Sequence, residues 1–249
     1  MPQIDKNPEK LRPFLFHGLS LEWSNASREA VGDCPFCARE SKFSVNMEDG
    51  RWRCFVCGDA GNIYTFIRKL WQVSDESTID YEVLAENRSL LSTDTLITWG
   101  VARSDITGEW MVPGYGTDGK LNQLYKYVEI EGKFRLLPTP TLGHQIFGLG
   151  ANYDEKKNTL YICEGPWDAL ALWEVMSQTK CSGGKFMPTS SIESSLLSAT
   201  NIIAVPGCQT FPPHWSVICQ AKHVSFLFDN DHDRKHPKTD KIIESAAYQ

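Results

Sequence analysis

Two cysteine pairs constrain this chain more tightly than any other feature. Cys34 and Cys37 stand in "CPFC", Cys54 and Cys57 in "CFVC", with sixteen residues between the pairs. A tight C-x-x-C turn aims two thiolates at one point, and two such turns close a tetrahedral sulfur shell around zinc. The intervening "KFSVNMEDGRWRC" alternates apolar and polar residues on both sides of Asp49-Gly50, which predicts a hairpin. A small zinc ribbon with four cysteine ligands follows. With four protein ligands and no open position the ion is structural, and its binding energy holds the module folded. His17 is not needed as a ligand and reads as an ordinary surface or core histidine. The scattered cysteines, Cys163, Cys181, Cys208 and Cys219, read as small buried apolar residues.

After the second pair, "CGDAGNIYTFIRKLW" passes from a glycine turn into an amphipathic helix. Ile63, Phe66, Ile67 and Leu70 fall at helical spacing, with Asp59 or Asn62 as cap. Residues 73–80, "VSDESTID", are polar and aperiodic and suggest a linker. A short helix is expected from Ser92 or Thr93. Strand candidates come next in "EWMVPGYG", "LNQLYKYVEI" and "KFRLLPT", with turns at 117–119 and 131–132. Lys120, Lys126, Lys133 and Arg135 concentrate positive charge there. Lys133 and Arg135 alternate, so on a strand they share one face, as a groove for phosphates requires. A solvated outer strand face is the competing reading.

The last hundred residues set a second pattern. "NTLYICEGPWDALALWEVM" is a strand that stops at Glu164-Gly165 and runs into a helix, with Trp167, Leu170, Ala171 and Val175 expected on one side. "NIIAVPG" repeats strand then glycine at Gly207, and "HVSFLFDNDHD" repeats strand then acid at Asp229, Asp231 and Asp233. Apolar strands alternating with helices predict a parallel sheet, whose functional groups gather at the strands' carboxyl ends. Carboxylates two positions apart on a strand lie about 6–7 Å from each other. They repel by about 2–3 kcal/mol at an effective dielectric near 20. Glu164 converging with Asp229 and Asp231 around magnesium or manganese removes that cost. Asp233 reads as a cap or as a partner of Arg234, and residues 177–200 as a solvated loop.

Across 249 residues with 41% apolar and 22% charged content, the chain has ample core for more than one domain. No apolar run reaches the roughly 18 residues a membrane span needs, and no secretion signal is visible. A cytoplasmic location is expected. A net charge of −6 argues against indiscriminate adhesion to nucleic acid, though not against a local basic groove.

The cysteine region, over about residues 30–70, resembles the amino-terminal zinc-binding domain of bacterial and phage DNA primases. It shares with them the "CPFC" doublet, the short ribbon, and a second doublet followed by Gly-x-x-Gly and an apolar helix. "KFRLLPTP" followed by "IFGLG" is similar to a stretch of the same family. Glu-Gly after one strand and Asp-x-Asp after a later one resemble the Toprim fold.

The resemblance implies a multi-domain α/β protein: a zinc ribbon over 1–72, a linker over 73–92, a strand-rich subdomain over 93–150 and a Toprim domain over 151–249. It implies a primase, or the primase part of a phage primase–helicase, making RNA primers on single-stranded DNA from ribonucleoside triphosphates. A helicase would act in cis or in trans. Glu164, Asp229 and Asp231 would be catalytic and hold magnesium. Lys126, Lys133, Arg135, Gly165 and Gly207 would contact nucleotide or template. Lys42, Arg51, Trp52 and Arg53 on the ribbon, interleaved with Phe43, would bind template by phosphate contacts and stacking; burial of Trp52 and Phe43 in the ribbon core is the alternative. A DNA-binding recombination mediator and a Toprim nuclease are the competing functions.

Overall fold

The computed structural model describes residues 8–24, 27–75, 81–88, 91–150, 152–182, 185–191, 195–207, 209–220, 222–229, 234–235 and 242–243. The chain divides into two compact units. The first comprises Met1–Ile79, Gly100–Gly114 and Leu121–Gly143; the second comprises Asp80–Trp99, Tyr115–Lys120 and His144–Gln249. The fold is mixed α/β, with a cysteine ribbon, antiparallel sheets and a parallel sheet.

The first unit begins with the short helix α1 (Arg12–Phe16) and a five-stranded antiparallel sheet. Its strands are β1 (Leu21–Glu22), β2 (Glu29–Gly32), β3 (Phe43–Asn46), β4 (Trp52–Cys54) and β5 (Ala60–Gly61), in sequence order. The expected hairpin is β3–β4, pairing Phe43 with Cys54 and Val45 with Trp52. Its turn uses Gly50 at φ +73°, a conformation in which a Cβ is penalised. Helix α2 (Ile63–Asp75) follows. Asn62 caps it: its Oδ1 accepts from Thr65 N–H at 3.1 Å, and Thr65 Oγ1 accepts from Asn62 N–H at 2.9 Å. The other candidate cap, Asp59, instead pairs with Lys69.

So small a module fills its interior with rings. Phe14, Phe43 and Phe66 are fully buried, and Trp52 stacks on Phe43 at 5.3 Å between centroids. The same unit holds a four-stranded sheet in the order β6 (Ala102–Arg103), β7 (Trp110–Tyr115), β8 (Leu121–Ile130) and β9 (Lys133–Pro138). The β8–β9 turn is Glu131-Gly132, both at positive φ, as a two-residue hairpin connection requires. Arg68 ties α2 to β8, donating to Leu121 O at 2.7 Å and Asn122 Oδ1 at 2.6 Å.

The second unit contains helices α3 (Glu82–Asn87) and α4 (Thr93–Thr98), the former inside the stretch expected to be linker. Ser92 caps α4, as the sequence suggests, its Oγ accepting from Thr95 N–H. Next come β10 (Thr159–Cys163), helix α5 (Pro166–Ser177), β11 (Thr179–Ser182), β12 (Lys185–Pro188), β13 (Thr200–Ala204) and β14 (His223–Leu227). The two-residue strands β15 (Arg234–Lys235) and β16 (Ile242–Ile243) are last. The predicted parallel sheet has the order β13-β10-β14, pairing Cys163 with both Ala204 and Leu227. Leu160, Ile162, Ile203, Val205 and Trp215 lie in its core. Cys163 is buried as expected and Cys219 half-buried, while Cys208 lies outside the described residues.

Two expectations need correction. Residues 177–200 are not a plain solvated loop, since β11 and β12 form an antiparallel pair there. Gly183-Gly184, between the two strands in sequence, is a short-hairpin signal. In α5 the buried positions are Pro166, Ala169, Leu170, Trp173, Glu174 and Met176, while Val175 is exposed. The face is therefore rotated from the expected one, because Trp173 turns inward to meet Trp99 at 6.0 Å.

Candidate metal centre and acidic site

Among the described residues, one group of potential ligands converges on a point: Cys34, Cys37, Cys54 and Cys57, whose sulfurs all lie within 4.8 Å of one another. Cys34 and Cys57 sulfurs are 4.0 Å apart, and those of Cys37 and Cys54 are 3.7 Å apart. A tetrahedron with zinc–sulfur bonds of about 2.3 Å has edges of about 3.8 Å, so the donor set fits that ion. The thiols differ in their bias toward it: burial pushes Cys34 up to about 11 and Cys57 up to about 12. Against the opposing pull of burial, backbone N–H groups of Cys57 and Val56 help draw Cys54 down to about 6. The turn around each pair thus positions the sulfur shell through the backbone itself.

The ribbon residues expected to meet template divide in two. Lys42, Arg51 and Arg53 are exposed, Arg51 beside Asp49 at 3.7 Å. Trp52 is only 3% exposed and donates its indole N–H to Asn62 O at 2.9 Å. It belongs to the ribbon's core, as does Phe43, because a module of this size needs both rings to exclude water. Among the described aromatics of residues 1–72, Phe55, inside the second cysteine pair, is 61% exposed, against 37% for Trp23 and 40% for Tyr64.

Along the parallel sheet, Glu164 follows the central strand β10, and Asp229 lies two residues past the adjacent β14. The register brings them together: Glu164 Oε2 accepts the backbone N–H of Asp229 at 3.1 Å. Gly207, past β13, donates its N–H to Glu164 O at 2.9 Å and sits at φ +105°, where only glycine is unstrained. Gly165 is the N-cap residue of α5, with room for a Cβ only 3.2 Å from Asp168 Oδ2. Asp231 and Asp233 lie outside the described residues.

Sequence reading missed Asp168. It sits in the first turn of α5, four residues after Glu164, and its carboxyl titrates above the usual carboxylate range. Partial desolvation is the largest cause, followed by the charges of Asp229 and Glu164; the Gly165 N–H and Arg88 oppose the shift. The signal was available: an acid one helical turn beyond a strand-terminal glutamate. The Arg88 guanidinium lies across the face of Trp167, the residue before Asp168, at 4.3 Å.

Lys126, Lys133 and Arg135 belong to the first unit. Lys133 and Arg135 are exposed at alternate positions of β9, so they share a face as expected. Lys126 does not join them at the surface. It is buried on β8, ion-paired with Glu109, and its ammonium stands 4.8 Å over Phe16. A partner ahead of the neighbouring strand β7, invisible in a one-dimensional count of positive charge, draws it inward.

Residues 18–94 match the family model of the CHC2 zinc finger, the DnaG-type zinc ribbon. The fold is similar to three solved structures. The zinc-binding and RNA polymerase domains of the Aquifex aeolicus primase share 13% identity, with 89% of this chain and 70% of that one covered at a TM-score of 0.44. A DnaG catalytic core shares 15%, with 68% and 62% covered at 0.48. The primase fragment of the bacteriophage T7 primase-helicase protein shares 15%, with 81% and 79% covered at 0.43. A comparison with curated protein sequences returns no significant match.

Proposed function

We propose that this chain is a DNA primase that joins ribonucleoside triphosphates on a single-stranded DNA template, with the zinc ribbon over 1–72, a strand-rich subdomain over 93–150 and a Toprim domain over 151–249. The observation that carries the reading is the carboxylate arrangement beyond the parallel strands, where Glu164 accepts the Asp229 N–H. After partial desolvation, the charges of Asp229 and Glu164 help raise the Asp168 pKa, and a cation shared by these carboxylates would relieve that repulsion. Carboxylate oxygens suit magnesium or manganese. Glu164, Asp229 and Asp231 would hold the ion, which supplies charge neutralisation at the reacting phosphates.

The chain's own groups do the rest. In the reaction, a ribose 3′-hydroxyl attacks the α-phosphorus of the next nucleotide, one P–O bond forms, and the bond to pyrophosphate breaks. Glu164 would take the hydroxyl proton. Lys133 and Arg135, paired on one strand face, would hold triphosphate or template. Gly165 and Gly207 would let the backbone approach phosphate without an intervening Cβ. Lys42, Arg51 and Arg53 would contact the template's phosphates. A replicative helicase, in cis or in trans, is the partner such a primase would serve.

The test is synthesis. Zinc-loaded protein, single-stranded template, magnesium and labelled ribonucleotides should yield short oligomers that disappear with Glu164→Gln and Asp229→Asn. Binding without synthesis would point to a recombination-mediator role instead, and template cleavage to a nuclease.

A further inference from the structure

The tip of the second metal-binding turn carries a surface that the ribbon's own folding does not need. Phe55 and Val56, between Cys54 and Cys57, are 61% and 52% exposed. Their backbone is fixed: Phe55 N–H donates to Lys42 O at 2.9 Å, and Val56 N–H to the Cys54 sulfur at 3.4 Å. The Arg53 guanidinium lies 4.3 Å over one face of the Phe55 ring, and the ring remains largely solvent-exposed even so. Lys42, joined to this tip through its carbonyl, is itself exposed.

We propose that Phe55, backed by Arg53, is a stacking platform for one base of a single-stranded nucleic acid, with Lys42 on a neighbouring phosphate. An aromatic ring with a guanidinium on one side offers its other face to any base, and stacking tolerates all four. Two apolar side chains are far short of the roughly 800 Å² per partner that a stable protein interface buries, whereas a base needs one ring. The guanidinium on the ring is a cation and Lys42 beside the tip is another, which suits a polyanion better than an apolar protein groove. Held on a metal-closed turn, the ring is ordered before binding, so little entropy is lost on contact. The proposal deepens the template-binding reading and rests on it.

The experiment measures affinity of the zinc-loaded full chain for a labelled single-stranded oligonucleotide across a range of salt concentrations. Phe55→Ala should weaken binding about 5- to 150-fold, the loss of one base–aromatic stack, without changing the salt slope. Phe55→Trp should retain affinity, and Phe55→Leu, apolar but not planar, should not. Lys42→Ala should instead lower the salt slope by about 0.7, one phosphate contact on a single strand. Zinc content checked on every variant separates a lost stack from a lost fold. Unchanged affinity in Phe55→Ala, the outcome expected of a protein-docking tip, overturns the proposal, as does equal binding by Phe55→Leu and Phe55→Trp. Should the wild type bind oligonucleotide through Phe55 yet make no primers, the polymerase reading fails and this one stands.

Discussion

Acidification should destabilise the first unit through one side chain, His17. It is fully buried, and its Nε2 lies 2.9 Å from Thr139 Oγ1. Thr139 spends its only hydroxyl proton on Leu124 O at 2.8 Å, so Nε2 must carry the proton and Nδ1 is a bare lone pair. Nδ1 has no hydrogen-bond partner among the described residues. Protonating it would bury a second cation near the Lys126 ammonium. Burial, and then Lys126, lower the pKa from 6.5 to about 3. The unfolded chain therefore binds a proton that the folded chain refuses between these values. Stability is full above pH 6.5 and declines as pH falls toward 3. At pH 5, about 1.5 pH units below the unfolded value, the loss is about 2 kcal/mol. Urea unfolding of wild type and His17→Gln at pH 7 and pH 5 isolates it, because zinc loss and other titrations cancel in the comparison. The wild type should lose about 2 kcal/mol more than the variant between the two pH values. Parallel losses would refute the assignment of a neutral buried imidazole.

Three further outcomes follow from the same geometry. Chelating the zinc should unfold the ribbon and expose Trp52, read as a red shift in fluorescence and rapid proteolysis near Phe43; a chelator-treated ribbon that stays protected would contradict a structural metal. Glu174 is buried on α5 and accepts from Ser92 N–H at 2.9 Å and Ser92 Oγ at 2.7 Å; burial opposes its charge, but bonds from Thr95, Ser92 and Gln178 hold its pKa low. Glu174→Ala should cost about 1–3 kcal/mol in a thermal melt, and no loss would show that α4 needs no such anchor. Gly148 stands at φ +78°, and a Cβ there would lie 2.7 Å from Trp99 ring atoms. Gly148→Ala should destabilise by roughly 2 kcal/mol on chemical denaturation, and a neutral result would mean that Trp99 repacks freely.

Features set by local spacing were legible in the sequence. Each cysteine pair forms its own turn, and each apolar strand stops within three residues of its glycine or acid, so the ligand set and the Glu164–Asp229 edge could be read along the chain. Side-chain direction was less legible. Trp52 and Arg53 alternate on β4, but the identity of the buried face depends on Phe14, Phe43 and Phe66 arriving from other elements. Lys126 looked like its neighbours Lys133 and Arg135 until Glu109 came beside it in space. Asp168 was overlooked because an acid in a first helical turn has an ordinary role opposite the helix dipole, and what sets it apart is partial desolvation beside the charges of Asp229 and Glu164. The α5 face was misjudged for a similar reason. Trp167 and Trp173 stand on the same helix, and either can lead its buried side until Trp99 selects Trp173.

Manganese binding to the zinc-loaded chain, followed by the electron paramagnetic resonance of the free ion, tests the acidic site without depending on turnover. Wild type should deplete the free-ion signal, and Glu164→Gln and Asp229→Asn should each restore most of it. Equal depletion by all three proteins would mean that these two carboxylates do not share a cation, and would contradict the polymerase reading at its root.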